Sequence, residues 1–258
     1  MAPADLLGTL RNDSPLVQCI TNYVAMNIAA NVVLAAGASP AMVHAVDEIE
    51  DFTPICGALT VNIGTLSAPW AASILAAART ANDNQIPWVL DPVAHFISGY
   101  RKDVAQTLLA LRPTILRGNA SEIMTLAGEA GAGKGADSGD SVSDAQNAAR
   151  SIAQTHGSVV VVTGPVDFVT DGARSATVTG GSDIMPMVTA LGCSQTALMG
   201  AYAACGPAFE AAVSTAAHFK VAGSRAAQHA NGPGSFQMHF LDAISTTQPG
   251  DLAGVIQS

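Results

Sequence analysis

In the stretch MVTALGCSQTALMGAY (187–202) an apolar run passes through Thr189-Ala190-Leu191-Gly192-Cys193 into a long uncharged helical pattern. A helix N-terminus presents unpaired N–H groups and partial positive charge, so this junction is a candidate phosphate site. Gly192 allows close approach of the backbone to an anion. A cysteine in the first turn of such a helix has its thiolate stabilised by the dipole, with a pKa expected below the usual value of about 8.5. A thiolate at Cys193 can take the proton of an alcohol as that alcohol attacks a phosphoryl group. The competing reading of Cys193 is a small buried hydrophobe, the commonest fate of a free cysteine.

Two carboxylates invite a similar choice. In NASE (119–122) Asn119 and Glu122 stand at N-cap and N3 spacing, a capping box that needs no catalytic role. The same Glu122, at the carboxyl end of the TILRG run, is placed to hold Mg²⁺ directly or through water, because ligands of open α/β sheets bind at that edge. Asp91 ends the PWVLD run just before Pro92 and belongs to the same edge, although a lone strand-end aspartate is also a turn former. The six histidines show no H-x-x-x-H or H-E-x-x-H spacing, and of them His44 and His95 follow strands and could border a site. GEAGAGKG (128–135) approaches a P-loop, but Gly135 stands where the Mg²⁺-ligating Ser or Thr is required, and a helical pattern precedes it instead of a strand. It reads as a surface loop.

The elements that must position these residues follow from apolar periodicity. AMVHA (41–45), ALTVNI (58–63), PWVLD (87–91), TILRG (114–118) and SVVVVTG (158–164) read as buried strands. Between them lie helical patterns such as 68–83 and 143–157, the second opened by Ser143 as a cap. The alternation predicts an α/β fold with a mainly parallel central sheet covered by helices on both faces. Residues 167–181 predict a hairpin turning near Asp171-Gly172, with a further strand running to Thr189. Helical patterns at 193–206 and 208–232, separated by Pro207, and a last short helix complete the chain. No repeat or long linker divides residues 1–258, which reads as one domain.

Composition excludes several function classes. The chain has 258 residues, 49% of them hydrophobic and only 12% charged, with a formal net charge of -9. That balance supports a large core and offers no basic footprint for nucleic acid or anionic membrane. Four dispersed cysteines lack C-x-x-C spacing, which argues against zinc and disulfide frameworks and points to a reducing, cytoplasmic setting. Residues 14–46 carry no Asp, Glu, Lys or Arg, yet Asn22, Asn27, Asn31, Gly37 and Pro40 interrupt the run, which reads as a buried strand and helix and not a membrane span.

Taken together and in order, SPLVQCITNYVAMNIAANVVLAAGASPAMVHAVDEIEDF, ALTVNIGTL, VLDPV, LRGNASEI, VVTGPVD, VTALGCSQTALMGAY and GPGSF resemble the hydroxyethylthiazole kinase family of the ribokinase-like superfamily. The resemblance implies a ribokinase-like fold and ATP-dependent phosphorylation of the primary alcohol of 4-methyl-5-(2-hydroxyethyl)thiazole, a thiamine-salvage reaction. It implies Cys193 as the base at an anion hole formed by Ala190, Leu191 and Gly192. Asn22, Met42 and Ala190 match the family's thiazole pocket, Arg117, Thr163 and Asp91 its nucleotide contacts, and Asp91 and Glu122 the acidic residues near phosphate and Mg²⁺. It also implies a homotrimer with sites between subunits, Asn22 and Met42 coming from one chain and Cys193 from its neighbour.

Three positions depart from the family pattern. TGAGC has become TALGC, so Ala190 replaces a glycine and would strain or reshape the anion hole if it takes positive φ. The small loop after Asp91-Pro92-Val93 has become the bulkier AHFIS, and TGEVD has become TGPVD. The alternatives are a kinase of another vitamin alcohol, such as hydroxymethylpyrimidine or pyridoxal, and a ligand-binding trimer without catalysis.

Overall fold

A computed structural model describes residues 3–128 and 142–257. In chain order the elements are α1 (Pro3–Asp13), β1 (Leu16–Ile20), α2 (Met26–Ala36), β2 (Ser39–Ala41), α3 (Ile49–Phe52), β3 (Ala58–Asn62), α4 (Ala68–Asp83), β4 (Trp88–Asp91), α5 (Gly99–Ala110), β5 (Ile115–Asn119) and α6 (Ala120–Leu126). They continue with α7 (Val142–His156), β6 (Val159–Thr163), β7 (Asp167–Thr170), β8 (Ser175–Val178), α8 (Leu191–Ala203), α9 (Ala208–Ala227), α10 (Pro233–Thr246), α11 (Pro249–Leu252) and β9 (Ile256–Gln257). The strands form one sheet in the order β2-β1-β3-β4-β5-β6-β7-β8-β9. Its first six strands are parallel, and β7, β8 and β9 extend it antiparallel.

The period-two alternation of strand side chains feeds two apolar layers. In β6, Val159 and Val161 join the layer under α1, α2, α8, α9 and α10, while Val160 and Val162 join the layer under α4, α5, α6 and α7. Val160, Val161 and Val162 are fully buried, each contributing roughly 1.5–3 kcal/mol. A strand buried on both faces has no polar alternation, which is why VVVV reads as a continuous run.

Local signals set the helices. Ser67 caps α4 by accepting from the Trp70 N–H, Pro69 occupies its first turn, and Trp70, Ile74, Ala77, Ala78 and Ala81 form its buried stripe. α8 is uncharged and buried from Ser194 to Ala203, because it lies against the centre of the sheet. Gly200 makes that seat possible: a Cβ there would run into Thr60 Cγ2 of β3. This contact delivers the N-terminus of α8 to the carboxyl edge of the strands.

Three expectations are corrected. The strand expected at 41–45 is β2, Ser39–Ala41, because Met42 onward leaves the sheet. No strand runs to Thr189; Met185–Met187 forms a 3-10 turn around Pro186, which cannot donate to a ladder, and the third antiparallel strand is β9 from the C-terminus. Among the described residues α7 runs over Val142–His156, so Ser143 lies inside it. In the P-loop-like stretch, Gly133 and Lys134 lie outside the described residues. No helix among the described residues is long and apolar enough to cross a membrane.

Candidate active site

The carboxyl ends of the parallel strands converge on the N-terminus of α8. Asn22 follows β1, Asn62 ends β3, Asp91 ends β4, Asn119 ends β5 and Thr163 ends β6. In an open α/β sheet this edge is where ligands bind, because loops leave the strands there and helix N-termini face it.

A buried hydrogen-bond relay joins four of these elements. Asn22 Oδ1 accepts from the Val24 and Ala25 N–H groups at 3.0 Å each, which fixes its amide orientation and holds the turn leading into α2. Its Nδ2 is thereby turned inward, donating to Asn62 Oδ1 at 2.8 Å and to Cys193 Sγ at 3.4 Å. Asn62 Nδ2 donates in turn to Asp91 Oδ2 at 2.8 Å, and Thr196 Oγ1 of α8 donates to the same oxygen at 2.7 Å. Arg117 Nη1 lies 3.5 Å from Asp91 Oδ2. Asp91 is fully buried, and burial raises its pKa to about 6 against the opposing charge of Arg117.

At the head of α8, Ala190 has φ +59° and ψ 12°, the left-handed conformation that glycine adopts freely and alanine does not. The expectation of a strained turn is met in this sense: Ala190 keeps the glycine conformation. Among the described residues, the N–H groups of Gly192 and Cys193 have no partner, so two donors point out of the helix end. Gly192 lets the Arg117 guanidinium approach the helix end, since a Cβ there would sit 2.7 Å from Arg117 Nη2 and displace it. The anticipated lowering of the Cys193 pKa is overturned. Burial pushes the thiol up to about 11 and the Asp91 charge adds to it, outweighing Arg117 and the Asn22 hydrogen bond.

Glu122 forms the capping box that its spacing suggested, accepting from Asn119 N–H at 2.8 Å while Asn119 Oδ1 accepts from Glu122 N–H at 2.9 Å. Its other oxygen accepts from Ala94 N–H at 2.8 Å, in a loop where Ala94 also has positive φ. The bulk of AHFIS is partly absorbed inward, with His95 buried. Among the described residues no cluster of three or more His, Cys, Asp or Glu could cage a metal ion. Mg²⁺ needs only one or two carboxylates when phosphates supply other ligands, and Asp91 Oδ1 is a buried oxygen without a partner. That donor set fits Mg²⁺, with Glu122 a candidate through its remaining lone pairs.

Beside the α8 N-terminus lies a cavity of about 410 Å³ lined by Arg117, Thr163, Gly192, Gln195 and Lys220 among others. Thr163 Oγ1 donates to Gly118 O at 3.3 Å, and Lys220 Nζ holds the Gly164 and Pro165 carbonyls at 2.6 and 3.0 Å and the Asp167 carboxylate at 3.2 Å. Thus Pro165, which carries no acidic group, serves through its carbonyl.

Asn22 and Cys193 meet within one chain, which corrects their assignment to different subunits. Met42 stands outside the relay: its carbonyl is 3.0 Å from His44 Nδ1, and its half-buried side chain packs against the apolar layer that includes α8. His44 stacks on Trp70 with ring centroids 4.3 Å apart. Sequence reasoning assigned no role to Asn62, Thr196 or Arg101. Arg101 Nη1 donates to Ile63 O at 2.8 Å and Val93 O at 3.0 Å, and Nη2 donates to Gly64 O, so one guanidinium ties the loops after β3 and β4. The only signal for Asn62 was a polar residue ending a buried strand.

Comparison with known proteins gives a consistent answer. The model of the hydroxyethylthiazole kinase family matches residues 7–249. The chain is 73% identical to a hydroxyethylthiazole kinase of Roseobacter denitrificans over the full length of both, and 56% identical to one of Gemmatimonas aurantiaca, covering 98% of this chain and 92% of that protein. A structure of hydroxyethylthiazole kinase from Pyrococcus horikoshii OT3 superposes with a TM-score of 0.91 at 34% identity, covering 99% of this chain and 97% of that one. A pyridoxal kinase from Staphylococcus aureus in complex with AMP-PCP and pyridoxal shares only the fold, at 17% identity and a TM-score of 0.63, covering 81% of this chain and 88% of that one. The carboxyl-edge relay, the helix-terminal donors and these matches agree that the chain has the ribokinase-like fold and belongs to the hydroxyethylthiazole kinase family.

Proposed function

We propose that the protein transfers the γ-phosphoryl group of ATP to the primary hydroxyl of 4-methyl-5-(2-hydroxyethyl)thiazole, a step of thiamine salvage. The observation that carries this reading is the meeting of Cys193 Sγ with the Asn22 amide at 3.4 Å beside the unpartnered N–H groups of Gly192 and Cys193, in a chain of this family. The alcohol oxygen bonds to the γ-phosphorus, the bond from that phosphorus to the β–γ bridging oxygen breaks, and ADP leaves. The Cys193 thiolate accepts the alcohol proton and becomes the thiol. The donors at Gly192 and Cys193, with the left-handed Ala190 and Leu191 shaping the turn, hold developing charge on the phosphoryl oxygens.

Arg117 and Thr163 bind the nucleotide in the adjoining cavity, and Arg117 also holds Asp91 in place. Asp91, with Glu122, holds Mg²⁺, which when bound neutralises phosphate charge and orients the transferred group. Asp91 raises the Cys193 pKa while it is ionised and uncompensated, so countercharge at Asp91 favours the thiolate. Asn22 orients the sulfur and, with Met42 and Ala190, forms the thiazole pocket. The protein assembles as a homotrimer in which the exposed Tyr23, Val24 and Leu34 are covered, a reading that sedimentation tests directly.

The function is tested by ADP formation from MgATP with hydroxyethylthiazole, hydroxymethylpyrimidine and pyridoxal in parallel. Turnover confined to the thiazole is expected. Turnover with pyridoxal or the pyrimidine alone overturns the substrate assignment, and no turnover with any of them overturns the kinase reading.

A further inference from the structure

Gln195 lies on α8 three residues beyond Gly192, so the two share a helix face and both line the cavity beside Arg117 and Lys220. It is only 4% exposed, yet its side-chain amide has no hydrogen-bond partner among the described residues. Several polar side chains around it are already engaged: Thr196 and Arg117 with Asp91, Lys220 with Asp167 and two carbonyls, Thr163 with Gly118 O. A primary amide offers two donors and an acceptor, and Gln195 lines the cavity with none of them engaged by the protein among the described residues. A helical rise of about 1.5 Å per residue puts Gln195 roughly 4.5 Å along the axis from the Gly192 donor, a distance suited to the next phosphate of a polyphosphate whose end rests at the helix N-terminus.

We infer that Gln195 is a nucleotide-binding residue whose side-chain N–H donates to a non-bridging oxygen of the polyphosphate behind the transferred group. The inference rests on the reading of the cavity as the nucleotide site. Arg117 is shared with Asp91, and Gln195 adds a second donor in the same cavity without adding charge that would hold the product.

The test compares MgADP binding by calorimetry, and the KM for ATP and for GTP, in the parent protein, Gln195→Leu and Gln195→Glu. One lost hydrogen bond to a charged group predicts a rise of roughly tenfold in the MgADP Kd and the ATP KM for Gln195→Leu. The thiazole KM stays unchanged, and the ATP and GTP values rise in parallel. Gln195→Glu preserves the size of the side chain and replaces the donor with a negative charge, so it weakens both nucleotides further with an unchanged thermal midpoint. Equal MgADP binding by the parent and both variants overturns the role of Gln195 while leaving the cavity as the nucleotide site. A changed ATP to GTP ratio overturns the phosphate contact in favour of one to the base. Failure of the parent itself to bind MgADP overturns the reading of the cavity, and the inference with it.

Discussion

Asn22 donates to the sulfur of Cys193 at 3.4 Å, although the two residues are separated by most of the chain. The bond makes the sulfur an acceptor from the protein. The same Asn22 nitrogen reaches Asn62, and Asn62 reaches Asp91, so Cys193 and Asp91 are held by one continuous relay. Asn22→Asp replaces the donor with a charge beside a thiol already pushed up to about 11. It is expected to lower kcat/KM by about a hundredfold and to move the pH profile further to the alkaline side, while Asn22→Ala, which removes only the hydrogen bond that lowers the thiol pKa, moves it by less. Profiles that coincide would contradict the relay.

Ala190 holds a glycine conformation at a conformational cost of about 1–2 kcal/mol. Ala190→Gly relieves that strain but adds about 0.4–1 kcal/mol of unfolded-state entropy, so the protein should be at least as stable as the parent. Ala190→Val, β-branched in the left-handed region, should lose about 2 kcal/mol or more and bind nucleotide poorly. Denaturant unfolding of the three proteins separates these outcomes. A valine variant as stable as the parent would refute the strained turn.

Arg101 bridges the loops that carry Asn62 and Asp91 onward, yet it touches neither residue's side chain in the relay. Its removal should cost roughly tenfold or more in kcat/KM, since a hydrogen bond from a charged group contributes about 1.5–3 kcal/mol. Added guanidinium should restore part of the activity of Arg101→Ala. A variant with normal rates would show that the loops hold their geometry unaided.

His218 is fully buried, its Nδ1 2.9 Å from the Tyr202 hydroxyl and its Nε2 2.9 Å from the Ile244 carbonyl. That pair of partners suits the neutral ring, with Nε2–H donating and Nδ1 accepting, and burial lowers the pKa to about 4. The unfolded chain therefore binds more protons between about pH 4 and 6.5, so stability falls as pH drops through that window. The full effect is about 3 kcal/mol for such a shift. His218→Gln should flatten this part of the stability curve relative to the parent. An unaltered slope would exclude His218 as its source.

Much of the frame was legible because it depends on local pattern. The VVVV run, the PWVLD strand end, the helix over 68–83 and the Asn119–Glu122 capping box all follow from neighbours within a few residues. The strand expected before Thr189 failed because Pro186 and the surrounding turn defeat an apolar run, while the strand that does pair with β8 lies about 80 residues away. At the site, strand-end position suggested Asp91 and Glu122, and the family resemblance suggested Asn22 and Arg117. The relay through Asn62 and Thr196 was not legible, since it arises only when β1, β3, β4 and α8 are brought side by side. For the same reason the Cys193 pKa was expected in the wrong direction: the helix terminus is local, whereas the burial and the Asp91 charge that outweigh it come from distant segments.

The most direct measurement is the rate of thiazole phosphate formation by the parent, Cys193→Ala and Cys193→Asp from pH 6 to pH 10, with MgADP affinity measured alongside. The parent rate should climb with pH as the thiolate fraction grows toward a pKa of about 11, and Cys193→Asp should retain much of the activity with a profile nearly flat over this range. Cys193→Ala should lose about 10²–10⁴ in kcat with nucleotide affinity unchanged. A Cys193→Ala enzyme at the parent rate, or a Cys193→Asp enzyme as inactive as the alanine variant, would contradict the assignment of Cys193 as the base.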